Sequence, residues 1–525
     1  MRYARRCWLG GVALLLLLIT CATVANAFFV RVTERQRELA VRTALGASRA
    51  GLVRLLLAEG AVVCVGGALA GTLLAVSAGP VLRALIPAAV PRGDAIGADT
   101  TIVAFGIVAS IVAIVFATIL PAWRSSRFDV ASTLKRAATT ASADRSSALW
   151  RQSMLALEAG IATALLVSAA LLLVSFWRLN HVPLGFDGDK VLTVEMRLLD
   201  RKFRAPGAVA NFQDAVVARV AAIPGVAEVG LTSAVPFRGV DFMFRFDMPD
   251  GRVVYGNGRY VDGAYFSIMR IPVIHGRVFD RTDTAAAQQV MVVSASFARN
   301  AFGTEDAVGR MIDAPESKRA IGVVGDVRYV ALDREAAPAV YSQRPSELMC
   351  LIVRSSLDAR ELGPSVRAAI HDVDPTLPAM DMTTIGTIIS ESVSDKRFLT
   401  TSTAAFAGLA LLLTLVGLGV IVARAVVERT REMAIRSALG ASSRRLVALV
   451  VAQGLTPVAI GGALGLVAAF WGSTLLARFL FGIAPRTLSV YVGVGLFVLF
   501  VALIACLLPA RRVTAVTPAS ALRAE

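Results

Sequence analysis

The sequence predicts an α-helical membrane protein with about seven transmembrane helices in two related units, together with a mixed α/β domain outside the cytoplasm. Three observations predict this class. Apolar segments of the roughly 20 residues needed to cross a bilayer recur along the chain. A fifteen-residue charged phrase occurs twice, 394 positions apart, each time just after such a segment. One long stretch, residues 179–396, contains no membrane-length apolar run.

The composition excludes an ordinary soluble globule and argues against a nucleic-acid-binding protein. Hydrophobic residues make up 56% of the 525 positions, and the formal net charge is +16. The Lys and Arg residues cluster beside apolar runs, as membrane topology requires, and no basic tract interleaved with aromatic residues or zinc-finger spacing is present. Cys350 is the one cysteine in the polar middle segment, so the sequence predicts no disulfide framework there.

Length and composition predict seven spans. They are residues 8–30, 52–78, 101–121, 154–177, 400–423, 446–471 and 489–508. Arginine and lysine are concentrated in the connections 31–51, 122–151 and 424–445 and in the tail after residue 510. The positive-inside rule places these four segments in the cytoplasm, and alternation then exports the polar middle segment.

The same alternation places the N-terminus outside, which conflicts with three basic residues before the first span, Arg2, Arg5 and Arg6. The start also resembles a secretory signal, with an Ala25-Asn26-Ala27 cleavage site. Cleavage would remove a span whose counterpart, 400–423, is retained in the second half. A shortened start is the other explanation that we consider.

The polar middle segment reads as mixed α/β. Residues 191–198 alternate as a strand, and 226–231, 289–293 and 320–324 form further short apolar runs. Helices are predicted over 206–222, where Pro206 suits a helix start, and over 294–302. Its histidines are far apart, and Gly322–Asp326 reads as a strand running into a turn, with Asp326 a possible ligand. The segment is predicted to bind or couple, not to catalyse.

The repeated phrase is the candidate site. The copies are ERQRELAVRTALGAS at 34–48 and ERTREMAIRSALGAS at 428–442, with eleven identical positions. As a helix, Glu432 and Arg436 form a favourable i, i+4 pair, and Gly440 can end the helix in a left-handed cap. A serine can then cap the next helix. The candidate residues are Glu34, Arg35, Arg37, Glu38, Arg42 and Gly46 in the first copy, and Glu428, Arg429, Arg431, Glu432, Arg436 and Gly440 in the second.

Topology alone explains any single arginine of this phrase, but it does not explain the glutamates or the fixed glycine. The whole pattern favours a short amphipathic helix at the cytoplasmic surface whose mixed charges pair with another protein. Because the helix lies between two spans, movement of that partner would move both spans.

These motifs resemble the permeases of MacB/FtsX-type ABC transporters. The family's order of span, large outside domain, span, charged phrase, two spans and P-A-x-R is matched by residues 154–525, and residues 8–137 match the last three spans of a second unit. The outside segment also resembles the family's periplasmic core domain. The matching stretches are VDGAYF at 261–266, GRVF at 276–279, VGR at 308–310, VVGDVR at 323–328 and PAVY at 338–341.

The resemblance implies a domain plan. Residues 1–137 form a partial FtsX-like unit with three transmembrane helices, 138–153 a cytoplasmic linker, 154–178 a transmembrane helix, 179–397 a MacB-like periplasmic core domain, and 398–525 an FtsX-like unit with three transmembrane helices. A duplicated arrangement of this kind resembles orphan permeases with two units in one chain.

The resemblance also implies a function. The chain would be a non-catalytic inner-membrane permease subunit without a cofactor, whose charged helices dock on a separate cytoplasmic ABC ATPase. Lipoproteins, peptides and antibiotics are the substrates of the family. A periplasmic adaptor or cell-wall hydrolase, membrane lipid and a dimeric permease assembly are the other implied partners, and nucleic acid is not one.

Two alternatives stay open. A non-transporting regulator of cell-wall hydrolases would carry the same coupling apparatus. An ion-coupled secondary transporter is disfavoured, because the only acids inside the predicted spans, Glu59 and Glu158, lie near their cytoplasmic ends.

Overall fold

The computed structural model describes most of the chain. The described residues are 2–35, 38, 41–42, 45–85, 106, 108, 111, 143–198, 200–238, 243–248, 250–280, 282–283, 290–313, 317–343, 348–377, 381–428 and 443–510. They divide into two compact units. One comprises Met1–Arg178 and Lys396–Glu525, and the other comprises Leu179–Asp395. We refer to the first as the membrane unit and to the second as the outside domain.

The described part of the membrane unit contains six long helices. They are α1 (Arg2–Glu34), α2 (Arg49–Leu85), α3 (Ala143–Asn180), α8 (Ile385–Glu428), α9 (Ser443–Leu476) and α10 (Leu488–Ala510). Five apolar helices found in the described residues are long enough to cross a membrane: Cys7–Phe28, Leu149–Asn180, Ile385–Ala423, Val447–Phe479 and Leu488–Leu507. A shorter apolar helix, Ala58–Leu74, lies within α2. The predicted span 101–121 lies almost entirely outside the described residues.

Helix α3 is packed from two sides inside the membrane unit. One apolar cluster joins its residues Leu155 and Leu171 to α8, α9 and α10. A second cluster joins Ala162 and Leu165 to Ile19 of α1 and to α8. Because α1 and α8 are the helices that precede the two copies of the charged phrase, the two halves of the sequence meet on α3.

Glycines allow α3 and α9 to approach at backbone distance. A Cβ atom added to Gly461 would lie 2.0 Å from the carbonyl oxygen of Ala156, and one added to Gly465 would lie 2.2 Å from the carbonyl oxygen of Gly160. Both helices therefore carry small residues four positions apart at their crossing, the pattern that permits close packing of helices in lipid.

The described part of the outside domain contains two sheets. A four-stranded antiparallel sheet has the order β11-β1-β10-β2, formed by Asp381–Thr384, Val191–Arg197, Leu348–Ser355 and Val226–Thr232. Two helices, α4 (Ala208–Ala221) and α7 (Ala359–Val373), share an apolar core with it. The alternation in the sequence is confirmed, because Leu192, Val194 and Met196 all face this core.

The larger sheet has seven strands in the order β5-β8-β6-β9-β4-β3-β7. In that order they are Val273–Gly276, Ser317–Val324, Val290–Ser294, Ala339–Ser342, Val253–Tyr260, Met243–Asp247 and Met311–Asp313. The pairs β6–β8 and β4–β9 are parallel, and the others are antiparallel. Two short helices, α5 (Ala264–Ile268) and α6 (Ala295–Phe302), contribute buried aromatic rings to its cores.

The helix predictions for this domain hold with one correction. Helix α6 begins after Ser294, whose hydroxyl oxygen accepts the N–H of Phe297 as an N-cap, as the sequence suggests. Helix α4 begins at Ala208, so the prediction that it begins at Pro206 was wrong. Gly207 has φ of +79°, a left-handed conformation that breaks the helical path between Pro206 and the first turn.

Candidate functional site

The first copy of the charged phrase follows a path that its sequence explains. Gly46 has φ of +91°, which favours glycine, and the N–H of Ala47 bonds to the carbonyl oxygen of Arg42 at 3.0 Å. This six-to-one bond around a left-handed glycine is a Schellman motif, which ends a helix. Ser48 then starts α2, because its hydroxyl oxygen accepts the N–H of Gly51 at 3.2 Å. Both predicted caps are confirmed in this copy.

The described charged side chains of the first copy form one ion-pair cluster. Arg35 binds both carboxylate oxygens of Glu38, with Nε–Oε2 at 2.7 Å and Nη2–Oε1 at 2.9 Å. Its remaining nitrogen, Nη1, reaches Oε1 of Glu59 on α2 at 2.6 Å. Arg42 Nη2 lies 2.8 Å from Oε1 of Glu38, four residues earlier, which confirms the predicted spacing. The cluster therefore ties the end of α1, the connection and α2 together.

The cluster stabilises the charged forms of Arg35 and Glu38. Hydrogen bonds from Arg35 are the main reason that the pKa of Glu38 is lowered below its ordinary value. The same bonds, followed by those to Glu59, raise the pKa of Arg35. All four side chains keep roughly 29–43% of their surface exposed. The connection therefore offers fixed charges of both signs to solvent or to a partner.

Apolar side chains stand exposed beside these charges. Val41 is 58% exposed and Leu45 is 82% exposed, one helical turn apart in the same connection. Leucine and valine in this setting give a surface that combines apolar contact with charge pairing. Such a combination is typical of a protein-binding surface.

The structure brings together only part of the predicted site. Arg35, Glu38 and Arg42 meet in the cluster, and Gly46 ends the helix beside it. Glu34 and Glu428 are the last residues of α1 and α8. The other predicted site residues, Arg37, Arg429, Arg431, Glu432, Arg436 and Gly440, lie outside the described residues.

Glu59 is a member of the cluster that the sequence analysis missed. The sequence identifies it only as an acid near the cytoplasmic end of a predicted span. The available signal was the internal repeat, since Arg35 and Arg429 are conserved between the copies whereas Glu59 is replaced by Gln453.

The outside domain shows structural uses for its polar residues. Asp326 accepts the N–H of Ser296 at 2.7 Å and pairs with Arg299 at 2.9 Å, so it fixes the start of α6 instead of acting as a ligand. Among the described residues no group of His, Cys, Asp and Glu is arranged to hold a metal ion.

Family models match most of the chain. The FtsX-like permease C-terminal model matches residues 10–130 and again 404–518, and the MacB-like periplasmic core domain model matches residues 158–350. With its apolar helices and its outside domain of mixed sheets, the molecule is a multi-pass inner-membrane protein with an extracytoplasmic core domain. The chain belongs to the MacB/FtsX-type family of ABC transporter permeases, as its sequence motifs predicted.

Individual relatives are distant. The uncharacterized ABC transporter permease YknZ of Bacillus subtilis (strain 168) is 24% identical over 274 residues, which cover 50% of this chain and 69% of that protein. The pyoverdine export ATP-binding/permease protein PvdT of Pseudomonas syringae pv. tomato is 24% identical over 336 residues, covering 61% of this chain and 49% of that protein. The macrolide export ATP-binding/permease protein MacB of Haemophilus ducreyi is 22% identical over 282 residues, covering 50% and 39%.

The chain thus spans half or less of the two ATP-binding/permease relatives. Among solved structures, the periplasmic region of MacB from Actinobacillus actinomycetemcomitans is similar to 39% of this chain, at 15% identity and a TM-score of 0.29, with 92% of that chain covered.

Proposed function

We propose that this chain is a non-catalytic permease subunit that couples a separate cytoplasmic ATPase to its outside domain. The ATPase would drive export of a lipoprotein, peptide or antibiotic-like substrate, or would transmit mechanical force to the outside domain. The sequence contains no G-x-x-x-x-G-K-[ST] phosphate-binding loop, so ATP hydrolysis is assigned to a partner. Permeases of this family typically work with such an ATPase.

The charged connection is the observation that carries this proposal. In the first copy, Arg35, Glu38 and Arg42 present fixed charges beside the exposed side chains of Val41 and Leu45. A partner that docks here binds through apolar contact and charge pairing together. The repeat of the phrase supports a second docking surface, formed by Glu428, Arg429, Arg431, Glu432, Arg436 and Gly440.

Helix α8 provides a route from the second docking surface to the outside domain. It is one uninterrupted helix of 44 residues, about 66 Å long at 1.5 Å per residue. Its first residue, Ile385, follows strand β11 directly and is fully buried in a core of the outside domain. Its last residue, Glu428, begins the second copy of the charged phrase. One helix therefore carries both the buried Ile385 and the first residue of the second copy of the charged phrase.

The repeat also supports the full domain plan. We propose seven spans in two FtsX-like units, with α2 and residues 101–121 crossing the membrane like their repeat counterparts α9 and α10. The two units then form a permease pair, either within one chain or in a dimer of chains. A periplasmic adaptor or a cell-wall hydrolase is the proposed partner of the outside domain.

Co-purification with the ATPase tests the docking role. Arg42→Glu and Arg436→Glu reverse one charge in each copy, and each variant is expected to lower the amount of ATPase recovered with the full chain at least several-fold, because an attractive contact becomes a repulsive one. The double variant is expected to abolish recovery.

Arg245→Glu is the matched control. Arg245 is an exposed arginine of the outside domain that pairs with Asp247, so the same charge change there should leave recovery of the ATPase unchanged. Wild-type recovery in both connection variants, with normal membrane insertion, would refute docking at these residues.

A further inference from the structure

A fully buried carboxyl group lies inside the membrane unit where the two halves of the chain meet. Glu158 of α3 has no exposed surface, and neither of its carboxylate oxygens has a hydrogen-bond partner among the described residues. It lies within the membrane-length apolar segment Leu149–Asn180. An acid at such a position is costly to keep in its ionised form, and in membrane proteins it commonly marks a functional site.

The space for this carboxyl group comes from a glycine of α8. A Cβ atom added to Gly417 would lie 2.8 Å from Oε2 of Glu158, closer than side chains tolerate. Leu155 of α3 also lies beside Gly417, with its Cδ1 4.0 Å from the added Cβ. Helix α8 therefore accommodates the carboxyl group but offers it no charge.

Helix α1 supplies polar neighbours instead. The Thr23 hydroxyl lies beside the Glu158 carboxyl, but its proton is donated to the Ile19 carbonyl oxygen at 2.9 Å. Thr23 therefore presents only lone pairs to Glu158. Asn26, one turn further along the same face of α1, is 2% exposed, and its side-chain amide also has no hydrogen-bond partner among the described residues.

Charged groups do not balance Glu158. Arg151 lies two turns earlier on α3, and the Glu158 carboxylate oxygens accept no hydrogen bond from it. The sequence has no ionisable residue in α8 between Arg397 and Arg424, or in α9 between Arg445 and Arg478. Two other helices pack in the same clusters. On α1 the ionisable residues that flank Thr23 and Asn26 in the sequence are Cys21 and Arg31, and on α10 the ionisable residues are Tyr491 and Cys506.

We propose that Glu158 is a proton-binding site at the contact of α1 with α3 and α8. The carboxyl group carries a proton in the packed state and donates it to acceptors on α1, the Thr23 hydroxyl oxygen or the Asn26 carbonyl oxygen. Separation of α1 from α3 admits water, in which a carboxylic acid ionises at neutral pH. Proton binding and the packing of the two halves are therefore linked, independently of the ATPase-docking role.

Infrared difference spectroscopy of the full chain in lipid nanodiscs tests the proton directly. In an Asp262→Asn background, which removes the protonatable acid of the outside domain, the chain is expected to show the carbonyl stretch of a protonated carboxylic acid at neutral pH and to lose it as the pH is raised. Glu158→Gln should remove this signal. Glu59→Gln, which replaces the other acid of a predicted span, should retain it because Glu59 is ion-paired with Arg35.

Two further measurements cover the case in which Glu158→Gln misfolds. Gly417→Ala crowds Oε2 and should shift the frequency of the same band. The melting temperature of the wild type should fall as the pH rises, because burial without a charged partner disfavours the ionised carboxylate. A neutral-pH wild type without this band, or a band that neither variant alters, would overturn the proposal.

Discussion

At the scale of single residues, Asp262 is expected to make the stability of the outside domain depend on pH. Its carboxylate accepts the N–H of Leu231 at 3.0 Å and that of Tyr265 at 2.9 Å, and so links strand β2 to the start of helix α5. These donors favour the ionised form, but burial outweighs them and raises the pKa of Asp262 to about 7, from an ordinary value of 3.8.

A pKa raised in the folded state predicts a loss of stability as the pH rises. The stabilising contribution is complete below pH 3.8, the ordinary pKa, and is lost as the pH passes through about 7. Within this window, each pH unit is expected to lower the free energy of unfolding by up to about 1.4 kcal/mol. Denaturant unfolding of residues 179–395 at several pH values measures this slope.

Asp262→Asn is the matched variant, because the amide stays neutral throughout. Its stability should change less between pH 4 and 7 than that of the wild type. Equal slopes for the two proteins would show that Asp262 is ionised in the folded domain.

Residue-scale contacts differ in how far the sequence predicts them. The Glu38–Arg42 pair and the left-handed Gly46 follow from helix geometry and backbone sterics, which act over a few neighbouring positions. The bond from Arg35 to Glu59 joins residues 24 positions apart on different elements. Periodicity tells which face of a helix a residue occupies, but not which residue of another helix will meet it.

At the scale of elements, the crossing of α3 and α9 depends on glycine. Gly461 and Gly465 contact backbone atoms of α3, whereas their repeat counterparts on α2, Gly67 and Gly71, have no atom within 4 Å of an added Cβ. The same sequence motif therefore makes a close helix contact in one half, and the structure describes no such contact for it in the other.

This difference gives an internally controlled prediction. Gly461→Ala and Gly465→Ala force α9 away from α3, and each is expected to cost about 1–3 kcal/mol of stability because overpacked helices must shift. Gly67→Ala and Gly71→Ala should have little effect. Thermal unfolding of the detergent-purified chain compares the two pairs. Similar losses in both would show that the α3–α9 contact is not the reason for the glycines.

Strand pairing shows why elements are easier to predict than their arrangement. The alternation at residues 191–198 and the apolar runs at 289–293 and 320–324 identify β1, β6 and β8. The parallel pairing of β4 with β9 brings Arg259 opposite Tyr341, 82 positions later. Nothing in either strand's own pattern specifies that partner, because pairing is chosen by the packing of the whole sheet.

At the scale of the whole molecule, topology predicts which residues react from outside the cell. With the five native cysteines replaced, Asn300→Cys should react with a membrane-impermeant maleimide in intact spheroplasts, because Asn300 is an exposed residue of the outside domain. Leu45→Cys is as accessible sterically but lies in the cytoplasmic connection, so it should react only after lysis. If Leu45→Cys reacted in intact spheroplasts and Asn300→Cys reacted only after lysis, the membrane topology would be the reverse of the predicted one.

The overall plan was largely readable from the sequence because hydrophobic length and charge bias act on whole segments. Five of the seven predicted spans are apolar helices of membrane length, and the family is the one that the motifs indicated. How α1 packs against α3 and α8 was not readable, since lipid-facing and protein-facing sides of a helix are both apolar.

The replacement of Glu59 by Gln453 also bears on symmetry. The Arg35–Glu59 ion pair restrains the first connection against α2, whereas a neutral residue, Gln453, stands at the position of Glu59 in the second half of the sequence. The duplication has thus kept the charged phrase in both halves, but the residue that pairs with Arg35 in the first half, Glu59, is not kept in the second. A symmetric ATPase dimer would therefore meet two non-equivalent connections, and its two subunits need not act equally on the permease.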